Sequence, residues 1–217
     1  MPDFSKIISA IVNKGVETVD LSMFDDATRM QLLEQLGDDY FKKGKLLEAL
    51  KMYAHTANRE KLVKLADHYR TIGAITTAID AYALANDKQR LQEMGERCLK
   101  DGNEVDAIKA FKALGDFNKL NLVGDLCIDK GKYDAAIEIF GIVGNRDKLL
   151  MLGDKCLEGL KLSSAAKAFE LAKDGERLNK VGDICLRENM VNGALSAYRN
   201  AGNDTMVRFI EGNFLKH

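Results

Sequence analysis

Apolar residues recur along most of this chain at steps of three and four, in short segments separated by glycine, asparagine or aspartate. Such steps place side chains on one face of an α-helix, so each segment predicts an amphipathic helix. One pair of segments predicts a first helix from Arg59 to about Thr71 and a second from Ile75 to about Ala85. With a single proline, Pro2, and many Ala, Leu, Lys and Glu residues, the whole chain is predicted to be helical.

The same helix pair recurs with a period of 29 residues, without insertion or deletion. The second position of each copy is Gly or Ala, which is small enough to let another helix approach closely. The fourteenth position is alanine, and an aromatic residue follows four residues later. Six copies begin at Leu36, Leu65, Met94, Val123, Leu152 and Val181, and a truncated seventh begins at Ile210.

Glycine and Asx residues fall between the predicted helices. Glycine there predicts a left-handed residue that ends a helix, and Asp or Asn after it predicts a cap for the next helix. These turns leave almost no loop, so successive helices are expected to lie antiparallel and in contact. The glycines and caps are Gly44, Gly73, Gly102 and Gly131 within the copies, and Gly115-Asp116, Gly144-Asn145 and Gly202-Asn203 between them.

The stretch LGDDY at Leu36 and the Ala-x-x-x-Phe or Ala-x-x-x-Tyr of every copy resemble the tetratricopeptide repeat. The resemblance covers Leu33 to about Ile210 and implies a right-handed α-solenoid of about six antiparallel helix pairs. The chain departs from the family in three ways. Its period is shorter than the usual ~34 residues, Leu replaces the family's Trp and Cys replaces its Tyr in four copies, and the closing Pro is absent.

The predicted organisation has three parts. Residues 1–35 contain an N-terminal capping helix, an irregular segment and the start of the first repeat helix; residues 36–209 are the six repeats; residues 204–217 form a C-terminal capping helix that overlaps the last repeat. The first cap would use the apolar face of Phe4, Ile7, Ile8, Ile11 and Val12 and end near Gly15, and the irregular segment is Val16 to Phe24. A helix is predicted from Asp25 or Asp26 to about Lys43. The last cap would use Val207, Ile210 and Phe214; the alternative is that these faces dock another subunit.

Composition and motifs argue against several classes of function. The net charge of −1 and the lack of a long apolar run predict no affinity for nucleic acid or membrane. Catalytic and nucleotide-binding motifs are absent, so we expect no enzyme, no metal and no cofactor. Four cysteines share one repeat position. Cysteines of adjacent repeats are therefore expected to lie about 8–10 Å apart, the spacing of packed helices, which is too far for a disulfide or a zinc site. We expect Cys98, Cys127, Cys156 and Cys185 to be buried thiols in a reducing compartment such as the cytoplasm.

The strongest candidate site is a column of carboxylates at the third position of every copy, a position that the resemblance implies faces the concave groove. Amide residues lie nearby, so the column would form an acidic stripe that attracts a basic segment. The alternative is that a basic column neutralises it through salt bridges between repeats. The carboxylates are Asp38, Asp67, Glu96, Asp125, Asp154 and Asp183; the amides are Gln92, Asn121 and Asn179; the basic column is Lys61, Arg90, Lys119, Lys148 and Arg177.

Together these features predict a non-catalytic protein-protein interaction scaffold. Its partner would be a peptide, a helix or a subunit of an assembly, and a basic one if the acidic stripe binds it. A structural spacer or a homo-oligomer subunit is the first alternative. An RNA-binding repeat is disfavoured because such proteins present a basic face, and a hidden enzyme is disfavoured because no catalytic motif is recognisable. The sequence leaves the oligomeric state open.

Overall fold

The computed structural model describes residues 7–8, 11–12 and 21–215, and these residues form helices joined by short turns, with no strand among them. Ile7, Ile8, Ile11 and Val12 are helical. Thirteen further helices follow in the described residues: α1 (Asp26–Lys42), α2 (Leu46–His55), α3 (Arg59–Thr71), α4 (Ile75–Leu84), α5 (Lys88–Lys100), α6 (Glu104–Leu114), α7 (Phe117–Asp129), α8 (Tyr133–Val143), α9 (Arg146–Glu158), α10 (Leu162–Leu171), α11 (Gly175–Arg187), α12 (Val191–Asn200) and α13 (Asp204–Asn213).

The observed helix ends confirm the predicted ones for α1 and α3, and α4 ends one residue before the predicted Ala85. Odd-numbered helices α3 to α11 each have 13 residues, whereas even-numbered helices have 10 or 11. The apolar steps of each segment therefore specify both where a helix lies and which face it buries.

The turns have the predicted chemistry. Gly73 and Gly115 adopt φ angles of 79° and 69°, which an L side chain rarely tolerates. The side chains of Asp116 and Asn145 accept hydrogen bonds from the backbone N–H groups of Lys119 and Lys148 and so cap α7 and α9. Left-handed glycines and Asx caps at the helix ends are thus confirmed.

The chain divides into two compact units, Met1–Gly115 and Asp116–His217. In the first unit successive helices from α1 to α6 pack together, and α4 also contacts α6. Ile8 and Ile11 are buried in the same core as Leu32 and Leu36 of α1. The described part of the N-terminal segment therefore covers the exposed end of the first helix pair. The remainder of the predicted cap, including Phe4 and Gly15, and residues 16–20 of the irregular segment lie outside the described residues.

The second unit contains α7 to α13 and has the same construction. Successive helices pack together, and α8 contacts α10 as α10 contacts α12. Its core includes Phe140, Phe169 and three of the cysteines, all buried. The protein is therefore an all-α helical-repeat protein of the α-solenoid class, built from antiparallel helix pairs; the right-handed sense stays a prediction.

The close approach predicted from the second position is confirmed in both units. A methyl group placed on Gly37 would lie 2.6 Å from Tyr53 Cε1, and one placed on Gly124 would lie 2.6 Å from Phe140 Cζ. Each glycine thus leaves room for the aromatic ring of the even helix in its own pair. This contact explains why glycine and an aromatic residue recur together.

Helix α13 ends the second unit. Ile210 is fully buried against the preceding pair, and Glu211 forms an ion pair with Arg199 of α12. Phe214, expected on the buried face, is 47% exposed and stacks edge-on against Phe209. The prediction was wrong for Phe214 because the described residues provide no even helix after α13 to cover that position.

Candidate functional site

The carboxylate column joins neighbouring helix pairs in the first unit. Asp38 Oδ1 accepts a hydrogen bond of 2.8 Å from Tyr53 Oη of its own pair, and Asp38 Oδ2 accepts one of 2.7 Å from Lys61 Nζ on the next odd helix. One repeat later, Tyr82 Oη donates to Asp67 Oδ1 at 2.7 Å, and Arg90 Nε lies 3.6 Å from the same oxygen. Each carboxylate therefore connects three helices.

In the second unit a basic residue of the next odd helix again binds the carboxylate. Where phenylalanine replaces tyrosine, the hydrogen bond from the even helix is absent. Lys148 Nζ donates to Asp125 Oδ1 at 2.8 Å, and Arg177 Nε donates to Asp154 Oδ1 at 3.0 Å. At the last copy, Asp183 accepts a hydrogen bond of 2.6 Å from Tyr198 Oη.

Burial keeps the tyrosine hydroxyls protonated. It is the main cause that raises the pKa of Tyr82 to about 12, and the hydrogen bond to Asp67 raises it further. The pKa values of Tyr53 and Tyr198 are also raised, first by burial and then by the bonds to Asp38 and Asp183. Near neutral pH each hydroxyl thus remains a donor to its carboxylate.

The amides of the predicted stripe have structural partners. Asn145, the cap of α9, donates from Nδ2 to Asn121 Oδ1 at 2.9 Å, and Asn203 donates to Asn179 Oδ1 at 2.7 Å. Gln92 is exposed, and its Nε2 donates to Glu96 Oε1 at 3.2 Å. Asn121 and Asn179 therefore position the helix caps of the following repeats.

These contacts favour the alternative in which the column ties repeats together. The side chains of Asp38, Asp67, Asp125 and Asp154 are nevertheless 35–46% exposed, so a ligand can still reach them. Attraction of a basic partner by this column stays a prediction.

At two junctions between repeats, the aspartate that caps the odd helix also contacts two arginines. Asp87 accepts from Arg90 and lies 4.0 Å from Arg59, and Asp174 forms the corresponding contacts with Arg177 and Arg146. Burial pulls the pKa of Asp87 upward, but the hydrogen bonds and charge of the arginines outweigh it, so this pKa lies below its usual value. The backbone hydrogen bond from Arg177 is the main cause that lowers the pKa of Asp174.

The even helices carry a second set of bonds that the sequence reading missed. Lys109 Nζ lies 2.6 Å from Asp80 Oδ2, and Lys167 Nζ lies 2.6 Å from Glu138 Oε1. Thr76 adds a hydrogen bond of 2.8 Å to Asp106, which is buried. The signal was present in the sequence, because Lys51, Asp80, Lys109, Glu138 and Lys167 alternate in charge at the repeat interval.

Two cavities open at equivalent junctions of the first unit. The first, of about 310 Å³, lies between α1, α2 and α3; the second, of about 200 Å³, lies between α3, α4 and α5. We call them cavity 1 and cavity 2. Cavity 1 is lined by Asp38, Phe41, Lys42, Tyr53, Asn58, Glu60, Lys61, Lys64 and Leu65; cavity 2 is lined by Arg70, Tyr82, Arg90, Glu93, Met94 and Arg97. Five of the residues in cavity 2 occupy the repeat positions of Phe41, Tyr53, Lys61, Lys64 and Leu65.

The four cysteines are buried and free, as predicted. Burial is the main cause that raises the pKa values of Cys98, Cys156 and Cys185, so these thiols stay neutral. In the described ranges, no cluster of three or more His, Cys, Asp or Glu residues could hold a metal ion. No helix in the same part of the chain has both the length and the apolar character needed to cross a membrane.

Comparison with known proteins finds similarity among solved structures only. No protein-family model matches the chain, and no curated protein matches it either. Among solved structures, the chain is similar to a circular tandem repeat protein with novel repeat topology and enhanced subunit contact surfaces, at 11% identity and a TM-score of 0.21. The match covers 84% of this chain and 49% of that chain, so this chain spans about half its length. The fold of this chain is therefore defined by its own helices and their contacts.

Proposed function

We propose that this protein is a non-catalytic protein-interaction scaffold of the tetratricopeptide-like type, with a 29-residue repeat. Its partner, a peptide, a helix or a subunit of an assembly, lies along the odd helices. The observation on which the proposal depends is the presence of cavities at two successive, equivalent junctions, because neighbouring cavities can serve as adjacent subsites. Two adjacent subsites suit an extended segment that contacts successive repeats at once.

The bonds around these cavities support the proposal. Tyr53 and Lys61 hold Asp38 from two helices, and Tyr82 and Arg90 hold Asp67 in the same way. Side chains fixed before binding lose less conformational entropy when a ligand arrives. The odd-helix face is therefore a preorganised binding surface rather than a flexible one.

The cysteines support a non-catalytic role in a reducing compartment. A nucleophilic cysteine needs a lowered pKa and access to substrate. Cys98, Cys156 and Cys185 have raised pKa values and are buried. They serve as packing residues, and their free state suits the cytoplasm.

The test is selection of random displayed peptides against the full chain, followed by hydrogen-exchange mapping of the bound peptide. We expect enrichment of a defined peptide class and slower exchange in the odd helices, α3 and α5 above all. Protection confined to even helices would place the binding surface elsewhere. Selection that yields no enriched class would contradict a peptide-binding role.

A homo-oligomer subunit is the second candidate. Phe209, Phe214 and Leu215 are each 44–48% exposed at the end of the second unit. An exposed apolar cluster of this kind is typical of a subunit contact. Sedimentation velocity over a hundredfold concentration range tests it. Dissociation caused by Phe214→Ser would support this role, and a monomer at all concentrations would exclude it.

A further inference from the structure

The cations of cavity 1 and cavity 2 indicate the charge of the partner, given the scaffold role proposed above. We propose that the first unit binds an acidic segment of a partner protein and receives one carboxylate side chain in each cavity. Cavity 1 is lined by three lysines, and cavity 2 by three arginines. This inference rests on the proposed function and adds the chemistry of the partner to it.

The charge of α3, which borders both cavities, and of α5, which borders cavity 2, is complementary to such a segment. Helices α3 and α5 each contain four Lys or Arg residues against two Asp or Glu residues. In the second unit, α9 carries three of each sign. Helix α1, which borders cavity 1 from the other side, has two Lys or Arg residues against four Asp or Glu residues. The excess of positive charge at the cavities therefore comes from α3 and α5.

Cavity 1 contains cations that are available to a ligand. Lys61 is held by Asp38, but within the described part of the chain Lys42 and Lys64 have no hydrogen-bond or ion-pair partner. In cavity 2, Arg97 pairs only loosely with Asp101 at 3.6 Å, and its side chain is 69% exposed. An exposed ion pair of this kind contributes about 0–1 kcal/mol, so a carboxylate of a ligand can replace Asp101 at little cost.

In cavity 1 the other lining groups favour a carboxylate over a phosphate, whereas cavity 2, with three arginines and Glu93, has an excess of two cations. Asp38 and Glu60 also line cavity 1, so its cations exceed its anions by one, and a single negative charge is matched better than a dianion. Phe41 and Leu65 provide apolar walls against which the methylene groups of a glutamate can pack.

The distance between the cavities sets the spacing of the acidic residues. Neighbouring odd helices are joined by side-chain contacts such as that between Asp67 and Arg90, and helices in side-chain contact lie about 8–10 Å apart. Three residues of a polyproline II segment span about 9 Å and return to the same face of the segment. We therefore expect acidic side chains at positions i and i+3 of an extended partner segment.

The experiment measures fluorescence anisotropy of labelled, acetylated and amidated peptides added to the full chain. Blocked ends ensure that only side-chain carboxylates can bind. A Glu-x-x-Glu peptide should bind and weaken as salt rises, whereas the Lys-x-x-Lys peptide should not bind. Lys64→Glu or Arg97→Glu should weaken binding by about tenfold. Lys88→Glu makes the same charge change on α5, away from both cavities, and should alter affinity by less than about twofold.

Three outcomes would overturn the inference. They are equal loss of affinity in Lys88→Glu and Arg97→Glu, preference for the lysine peptide, and tighter binding of single-stranded RNA than of the acidic peptide. The displayed-peptide selection separates the two proposals. Enrichment of neutral or basic peptides on the odd helices would leave the scaffold role intact and reject the acidic partner. Absence of any enriched peptide would reject both.

Discussion

At the scale of single residues, the contact between a glycine and an aromatic ring controls how closely each helix pair packs. Phe140 is fully buried, and it fills the space that a side chain at Gly124 would occupy. In one copy Ala66 takes the glycine position opposite Tyr82, and both are buried. Alanine is thus accommodated where the pair is built around it, whereas in the Gly124 pair the ring of Phe140 already fills that space, and a close-packed core cannot move the ring freely.

We predict that Gly124→Ala destabilises the protein by about 1–2 kcal/mol, because overpacking outweighs the better helix propensity of alanine. Gly212→Ala is the matched control: Gly212 is also helical, and a methyl group there meets nothing within 4 Å. It should stabilise by up to about 1 kcal/mol. Urea denaturation measures both, and equal effects of the two substitutions would contradict the close contact.

The Tyr82 hydroxyl gives a prediction about pH. Its folded-state pKa of about 12 lies above the ordinary value of 10. The stabilisation from the neutral hydroxyl is therefore complete below pH 10 and is lost as the pH rises towards 12. Tyr82→Phe should cost about 0.5–1.5 kcal/mol at pH 7, because the bond to Asp67 is lost.

The difference in free energy of unfolding between wild type and Tyr82→Phe should shrink from pH 10 upward. Other tyrosines and the thiols titrate in both proteins, so their contributions cancel in this difference. Denaturant titrations at pH 7, 10 and 11 measure it. A difference that stays constant over this range would show that the hydroxyl is not shielded in the folded state.

At the scale of helices and turns, five non-glycine residues among those described adopt left-handed conformations that glycine adopts at other turns. Leu160, with φ 54° and 72% exposed, occupies the repeat position of Gly131. A left-handed conformation costs a residue with a Cβ about 1–2 kcal/mol. Turns were predicted only at the glycines, and these five residues lie at the equivalent repeat positions.

We predict that Leu160→Gly stabilises the protein by about 1 kcal/mol, although it removes a side chain. Gly131→Leu, at the equivalent turn of the same unit, should destabilise by a similar amount. Nothing lies within 4 Å of a methyl group at Gly131, so a clash would not complicate the comparison. Thermal melting of both variants is the measurement; a loss of stability in Leu160→Gly would mean that the leucine makes contacts worth more than the strain.

The sequence specified helices better than it specified the contacts of charged side chains. Apolar steps and Gly-Asx turns identified α3 to within a residue, because burial and backbone geometry are local properties. From the sequence, the partner of Asp38 could be a ligand or a basic residue. Lys61 is that partner because the fold brings α3 within side-chain reach of α1. The sequence did not predict the cavities for the same reason, since the walls of each cavity come from three helices.

At the scale of the whole molecule, each unit is stabilised by contacts between helices that are close along the chain. Such stacks leave an apolar face at each end, which must be covered. Ile210 and the Arg199–Glu211 ion pair hold α13 on the last helix pair. In the other odd helices glycine or alanine lies where Glu211 lies, so a charged residue here disfavours close packing of a further even helix. These features support a cap rather than an open end.

We predict that deleting residues 204–217 lowers the free energy of unfolding by at least about 2 kcal/mol, because α12 and the buried environment of Ile210 become exposed. The newly exposed apolar face should also cause self-association, seen as a higher mass in light scattering after size exclusion. Phe209→Ser is the control, because it removes an exposed apolar side chain while keeping the helix. It should leave stability nearly unchanged and should not increase association. If the truncated protein stayed monomeric and equally stable, α13 would not be a cap, and the exposed Phe214 would have to be explained by a contact with another molecule.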